Sequence, residues 1–202
     1  MKDIIKLCKE EKPVILIGGI SGSGKTTIGN AMLKRLELDH SIGTGWIREI
    51  LTTQLKKDNY PELFTHSFRP ITDITPYENF INGAKSLAPA VMACIKRAKS
   101  EGTSLIIEGV YLIPGIIDDA LYDFFFMLES KHDIVEYKKM VLGKSHKKRK
   151  ITDLDINASL EIEKKLVARC KKTNTPIIPN VPTNKRIELI NKIMQKKYQG
   201  EF

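Results

Sequence analysis

The residues best suited to chemistry stand together near the start of the chain, in Val14-Ile15-Leu16-Ile17-Gly18-Gly19-Ile20-Ser21-Gly22-Ser23-Gly24-Lys25-Thr26-Thr27. An apolar run of strand character leads into a glycine-rich turn and then a helix pattern, so Gly19 to Thr26 satisfies GxxxxGK[ST] in the setting that motif requires. Glycine lets the backbone take φ > 0 and bring consecutive N–H groups onto a phosphate chain, while the following helix adds the positive end of its dipole. The stretch therefore reads as a phosphate-binding loop (P-loop). Within it Gly19, Ser21, Gly22, Ser23, Gly24, Lys25, Thr26 and Thr27 are expected to hold ATP, with Lys25 as a mobile cation on the β- and γ-phosphates and the Thr26 hydroxyl as a ligand of Mg²⁺. The bland alternative is a plain glycine-rich turn, and a complete motif between the right flanking elements argues against it.

Three further stretches carry charge where such a loop needs it. Thr103-Ser104-Leu105-Ile106-Ile107-Glu108-Gly109 reads as a buried strand ending in an acid, the place of the Walker B carboxylate with glutamate instead of aspartate. A carboxylate there orients Mg²⁺ or polarises an attacking hydroxyl. Arg48 falls in the first turn of a helix beginning at Trp46, at the carboxyl end of the sheet where ligands of open α/β folds bind, and is expected to hold a phosphate. Lys144-Ser145-His146-Lys147-Lys148-Arg149-Lys150 is expected to close over the phosphates as a mobile lid spanning about residues 143–153, the alternatives being an exposed basic loop or a nucleic-acid patch. Between residues 56 and 78 the pattern dissolves at Tyr60-Pro61, Arg69-Pro70 and Thr75-Pro76. This is expected to be an acceptor-site insertion containing His66, Arg69 and Asp73, each of which alone reads as structural.

The elements that must position these groups alternate between strand and helix. A short helix over residues 3–12 precedes the first strand, which Pro13 opens, and the helix after the P-loop runs to about Leu38 on the stripe Ile28, Met32, Leu33 and Leu36. His40 to Thr44 suits a second parallel strand reached by a βαβ crossover. A long helix follows on Phe80, Ala84, Leu87, Val91, Cys94 and Ala98; Pro89 is expected to kink or split it near Ser86, and Glu101-Gly102 ends it. Further strands read at Asp123 to Leu128 and Thr175 to Asn180, with helices over about 132–142 and 153–172 and a terminal helix capped by Thr183.

The length suits one domain over residues 1–202. No apolar run approaches the ~20 residues that cross a bilayer, and Met1-Lys2-Asp3-Ile4-Ile5-Lys6 lacks the apolar region of a signal peptide, so the expectation is a cytoplasmic protein. Cys8, Cys94 and Cys170 are far apart and without CxxC spacing, which reads as reduced and unreactive. The net charge of +9 fits either nucleic-acid binding or a positive field that gathers ATP and an anionic acceptor. Nothing in the composition fixes an oligomeric state.

A P-loop alone does not name a reaction, and no NKxD-type guanine signature is present. The combination of the P-loop with Gly43-Thr44-Gly45-Trp46-Ile47-Arg48-Glu49, Leu105-Ile106-Ile107-Glu108-Gly109-Val110-Tyr111-Leu112-Ile113-Pro114-Gly115 and Thr175-Pro176-Ile177-Ile178-Pro179-Asn180 resembles the 2-phosphoglycerate kinase family. These are small P-loop kinases that pass the ATP γ-phosphate to the 3-hydroxyl of 2-phosphoglycerate, giving 2,3-bisphosphoglycerate. The resemblance covers about residues 13–182. It implies an α/β three-layer sandwich like that of adenylate kinase, with a parallel five-stranded sheet, a helical lid and a small phosphorylated acceptor; Arg149 and Asn180 are expected on the nucleotide side. The chain departs from the family's pattern at Gly45, where an aspartate is usual, at Tyr111, where a histidine is frequent, and at Glu136 and Leu160, near positions that are often basic. Gly45 leaves the proton acceptor open, with Glu108 the first replacement and Asp73 a weaker one. A nucleoside or polynucleotide 5′-kinase and an ATP-binding regulatory module without transfer activity remain as rival readings; nucleic acid is not the expected partner.

Overall fold

The computed structural model describes residues 2–71, 73–131, 133–141 and 151–201. In chain order the elements are α1 (Lys2–Glu11), β1 (Val14–Gly18), α2 (Lys25–Arg35), β2 (His40–Gly43), α3 (Thr44–Thr52), a 3₁₀ turn at Pro61–Phe64, α4 (Pro76–Glu101), β3 (Leu105–Glu108), a 3₁₀ turn at Asp119–Leu121, β4 (Phe124–Leu128), α5 (Ile134–Val141), α6 (Asp153–Lys172), β5 (Ile177–Ile178) and α7 (Thr183–Tyr198). The basic run with Arg149, and with it most of the expected lid, lies outside the described residues.

β1 and β4 carry no polar side chain and are buried at every position, so both must be covered on two faces. The strands form one sheet in the order β2-β3-β1-β4-β5, with every pairing parallel. Alternation along the strands then divides the core. Val14, Leu16, Leu105, Ile107, Phe125 and Met127 pack with apolar residues of α3, α4, α5 and α6, while Ile15, Ile17, Ile106, Phe124, Phe126 and Leu128 pack with those of α1, α2 and α7. The result is the expected three-layer sandwich. Among the described residues no helix is long and apolar enough to cross a membrane.

Several boundaries differ from the sequence reading. α2 stops at Arg35 instead of Leu38; the Leu36 N–H still reaches the Met32 carbonyl, and Glu37 takes φ 52 to turn the chain. Thr44 opens α3 instead of closing β2, which places Gly45 in the first turn of that helix. Pro89 does not split α4: although it cannot donate to the ladder, the helix runs unbroken between a Thr75/Glu78 capping box and a left-handed Gly102 cap, on the buried stripe Phe80, Ala84, Leu87, Val91, Ile95 and Ala98. Thr183 is not the cap of α7. Pro182 holds that position, and Thr183 is the first helical residue.

One polar cross-link fixes where β2 and β3 begin. Asp39 Oδ2 accepts from the Ser104 N–H at 2.8 Å, from Ser104 Oγ at 2.8 Å and from Lys12 Nζ at 3.1 Å, while the Asp39 N–H donates to Ser104 Oγ at 2.8 Å. The Ser104 backbone bond first, then its hydroxyl and Lys12, hold the Asp39 carboxyl down to about 2 against the effect of burial. Because this folded pKa lies below the unfolded value of about 3.9, the charge contributes fully above about pH 4 and is lost as pH falls through about 2. Asp39→Ala should cost about 1–2 kcal/mol near pH 7, a figure kept low by partial solvent exposure. Urea melts should show its gap from wild type narrowing toward pH 2; an equal gap at both pH values refutes the charge-dependent part.

Candidate active site

The loop after β1 takes the backbone conformations that glycine was expected to supply. Gly19, Gly22 and Gly24 have φ of 143°, 81° and 89°. A Cβ on Gly19 would lie 2.6 Å from Ser23 Oγ and 2.7 Å from the Leu128 carbonyl, so space as well as φ excludes a side chain there. Lys25 begins α2 and is buried, its Nζ donating to the Ile20 carbonyl at 2.7 Å and to Ser23 Oγ at 3.4 Å. Burial pulls the Lys25 ammonium down to about 8, and the nearby Glu108 and Glu163 carboxylates oppose that pull.

The sheet brings the acid to the loop. Ile17 and Gly43 both stand opposite Glu108 in the parallel registers, so Glu108 ends β3 between the ends of its two neighbours. Its Oε1 accepts from Thr26 Oγ1 at 2.9 Å. Glycines clear the surroundings: a Cβ on Gly43 would come 2.9 Å from Glu108 Oε1, and one on Gly109 would fall 1.6 Å from Thr44 Oγ1. The two residues expected to hold Mg²⁺ are thus in contact, and a hydroxyl beside a carboxylate is the hard oxygen pair that ion takes alongside phosphate oxygens and water.

A cavity of about 230 Å³ opens at these strand ends, lined by Ser21, Lys25 and Thr26, by Thr44, Gly45 and Arg48 of α3, by His66, Ser67 and Phe68, and by Glu108 to Tyr111. A second cavity of about 370 Å³ shares Arg48 and His66 with it. Arg48 donates from Nη1 to the Thr65 carbonyl at 3.3 Å, and its Nε is buried without a partner. Tyr111 leans on Gly83 of α4, where a Cβ would come 2.6 Å from its ring, and burial pushes its phenol up while Arg48 acts the other way. The acceptor-site residues separate. His66 lines both cavities with its ring stacked on Phe68, centroids 5.3 Å apart. Arg69 lines the second cavity with Arg48 and His66 and is ion-paired there with Asp155 of α6 at 3.0 Å, whereas Asp73 is exposed at φ 67°, outside both linings.

Tyr137 and Arg186, which the sequence reading missed, join Lys25 in holding the loop from behind. Three P-loop carbonyl oxygens are each taken by a side chain: Ile20 by Lys25, Ser21 by the Tyr137 hydroxyl at 2.9 Å, and Ser23 by Arg186 Nη1 at 2.6 Å. Arg186, buried in α7, also donates to the carbonyls of Pro179 at 2.9 Å and Glu129 at 2.8 Å and to Asn180 Oδ1 at 2.6 Å. Asn180 therefore borders the loop through this guanidinium. Glu163 of α6 accepts from the Ser130 N–H at 2.6 Å and hydroxyl at 2.7 Å. The one available signal for Arg186 was a cation beside Ile187, on the stripe that continues through Ile190 and Met194. Arg186→Met should lower stability by about 2–4 kcal/mol, since buried carbonyls lose their donor, and should weaken nucleotide binding. Thermal melts with and without ATP test both effects, and an unchanged ATP-induced shift removes Arg186 from the cradle.

A five-stranded parallel sheet with a P-loop after its central strand and an acid on the neighbouring strand defines the P-loop kinase fold. Solved structures share it: shikimate kinase from Acinetobacter baumannii in complex with shikimate matches with a TM-score of 0.61 at 14% identity over 96% of this chain and 98% of that one. A gluconokinase from Sinorhizobium meliloti 1021 matches at 0.57 and 14% over 95% and 99%. Within that class the chain is similar to curated 2-phosphoglycerate kinases. It is 32% identical to the curated one from Pyrococcus horikoshii over 91% of this chain and 64% of that protein, and 26% identical to the one from Methanococcus maripaludis strain C6 over 96% and 68%. It thus spans about two thirds of their length, and the resemblance read from its motifs extends over most of the chain. No family model matches.

Proposed function

We propose that this chain transfers the γ-phosphoryl group of ATP to the hydroxyl of 2-phosphoglycerate, giving 2,3-bisphosphoglycerate. The observation that carries the reading is the contact of Thr26 with Glu108 at 2.9 Å beside a buried Lys25, in a cavity that Arg48 also lines. Phosphoryl transfer asks a protein chiefly for positioning and charge neutralisation, and the cavity supplies both. The P-loop N–H groups and Lys25 hold the β- and γ-phosphates. Thr26 and Glu108 hold Mg²⁺, which when bound neutralises charge on the phosphate oxygens. Arg48, with a guanidinium donor unpartnered, binds the anion of the acceptor. Asn180 and Arg186 support the nucleotide side, and Arg149 belongs to the closing charge.

ADP release should be followed across 2-phosphoglycerate, 3-phosphoglycerate, glycerate and nucleosides, with turnover expected on the first. Lys25→Ala should abolish transfer and weaken ATP binding, because the phosphates lose their direct cation. Glu108→Gln should lower kcat far more than it changes KM, and Arg48→Ala should chiefly raise the acceptor KM, by about 10- to 100-fold for a lost charge-assisted bond. Near-normal turnover in Lys25→Ala would take the P-loop out of the mechanism. The net charge of +9 keeps a polynucleotide 5′-kinase as the second reading. Competition by single-stranded nucleic acid with a steep salt slope would favour it over the small acid.

A further inference from the structure

The catalytic cavity has to hold the transferring phosphoryl group and the acceptor together, so its walls decide how long an acceptor can be. Lys25, Thr26 and Glu108 make up the part of the lining suited to phosphate and metal. Three residues past Glu108 the chain adds a bulky side chain to the same lining, Tyr111, which stands near enough to Arg48 to feel its charge. Tyr111 is buried, and its ring is held from three directions. Gly83 of α4 lies directly behind it, where a Cβ would fall 2.6 Å from the ring. The Phe80 ring lies beside it with centroids 5.8 Å apart, and its hydroxyl donates to the Glu62 carbonyl at 3.4 Å. Glu62 is itself buried and tied to α4, its carboxylate accepting from the Ser86 hydroxyl. A ring backed by a residue without a side chain sits as close to the helix as packing allows, so α4 sets how far Tyr111 stands into the cavity.

We propose that Tyr111 is a specificity-determining residue that limits the acceptor to a short phosphorylated hydroxy acid, and that Gly83 sets this limit by letting the ring seat against α4. The proposal rests on the kinase reading above. An acceptor with further carbons on the side away from its reactive hydroxyl meets the phenol. The ring cannot turn aside without leaving Glu62 and giving up its fit to α4. Two opposite changes follow from this geometry. Shortening the side chain at position 111 deepens the cavity, whereas a methyl group at position 83 pushes the ring off α4 and makes the cavity shallower.

The test measures kcat/KM of the full chain, with ATP and Mg²⁺, on 2-phosphoglycerate and on two longer phosphorylated hydroxy acids, 4-phosphoerythronate and 6-phosphogluconate. Tyr111→Ala and Tyr111→Leu should raise the ratio of longer to shorter acceptor by about tenfold or more, the scale on which a pocket discriminates by a methylene or two. Tyr111→Phe keeps the ring and should hold that ratio within about threefold of wild type. Gly83→Ala should raise the KM for 2-phosphoglycerate by about tenfold, with affinity for a non-hydrolysable ATP analogue held. A packing role alone predicts a lower melting temperature and an equal loss on every acceptor. Leucine keeps enough apolar bulk for the fold should alanine not, so the ratio is readable in at least one variant. The size limit is overturned if that ratio stays within about threefold of wild type, or if Tyr111→Phe shifts it as far as Tyr111→Leu does. An unchanged KM in Gly83→Ala overturns the part given to Gly83. Absence of wild-type turnover on every phosphorylated acid is a different result, which removes the kinase reading and the size limit together.

Discussion

A loop that binds phosphate through its N–H groups must send its carbonyl oxygens elsewhere, because each exposed oxygen would repel the ligand the amides attract. The rest of the site depends on how this is done. Ile20, Ser21 and Ser23 have their carbonyls bonded to Lys25, Tyr137 and Arg186, which come from α2, α5 and α7. Helices from both layers therefore meet at one turn of backbone. The arrangement buries two cations, Lys25 and Arg186, and burial lowers the pKa of each while Glu163 opposes the change in both. Fixed dipoles and charges of this kind need no rearrangement when an anion arrives, which is the main way a protein lowers the barrier of phosphoryl transfer.

The parallel pairing of β1 with β3 does the equivalent work for the acid. The Gly109 N–H donates to the Ile17 carbonyl at 3.0 Å, closing the ladder one residue beyond Glu108. A slip of one residue would turn Glu108 to the opposite face and away from Thr26. Gly43 and Gly109 enforce the same register sterically, since neither position has room for a methyl group beside Glu108 and Thr44.

What could be read in the sequence was what depends on neighbours along the chain. The P-loop, β1, Glu108 and Arg48 were legible because motif spacing and strand pattern are local, and the cavity does gather Ser21, Lys25, Thr26, Arg48 and Glu108. Arg186 and Tyr137 were not, because a cation or phenol on an apolar helix stripe declares its partner only when the layers pack. Pro89 misled for a related reason: local propensity argued for a break, and burial of the α4 stripe with caps at both ends outweighed it. In the acceptor-site stretch, prolines showed where helix stops, but only the fold distinguishes His66, which reaches the cavity beside Lys25 and Glu108, from Arg69, which lines only the second cavity and is bound to α6.

Arg186 also has a consequence for how the protein is made. The ribosome delivers the P-loop, α2, β3 and β4 well before α7, so a nascent chain can hold every residue of the nucleotide motif while the Ser23, Glu129 and Pro179 carbonyls still lack their shared donor. Domains fold as cooperative units during synthesis. The cradle is therefore finished by a helix that lies more than 150 residues beyond the P-loop, and a growing chain should gain its full grip on nucleotide only once α7 has been made and has docked.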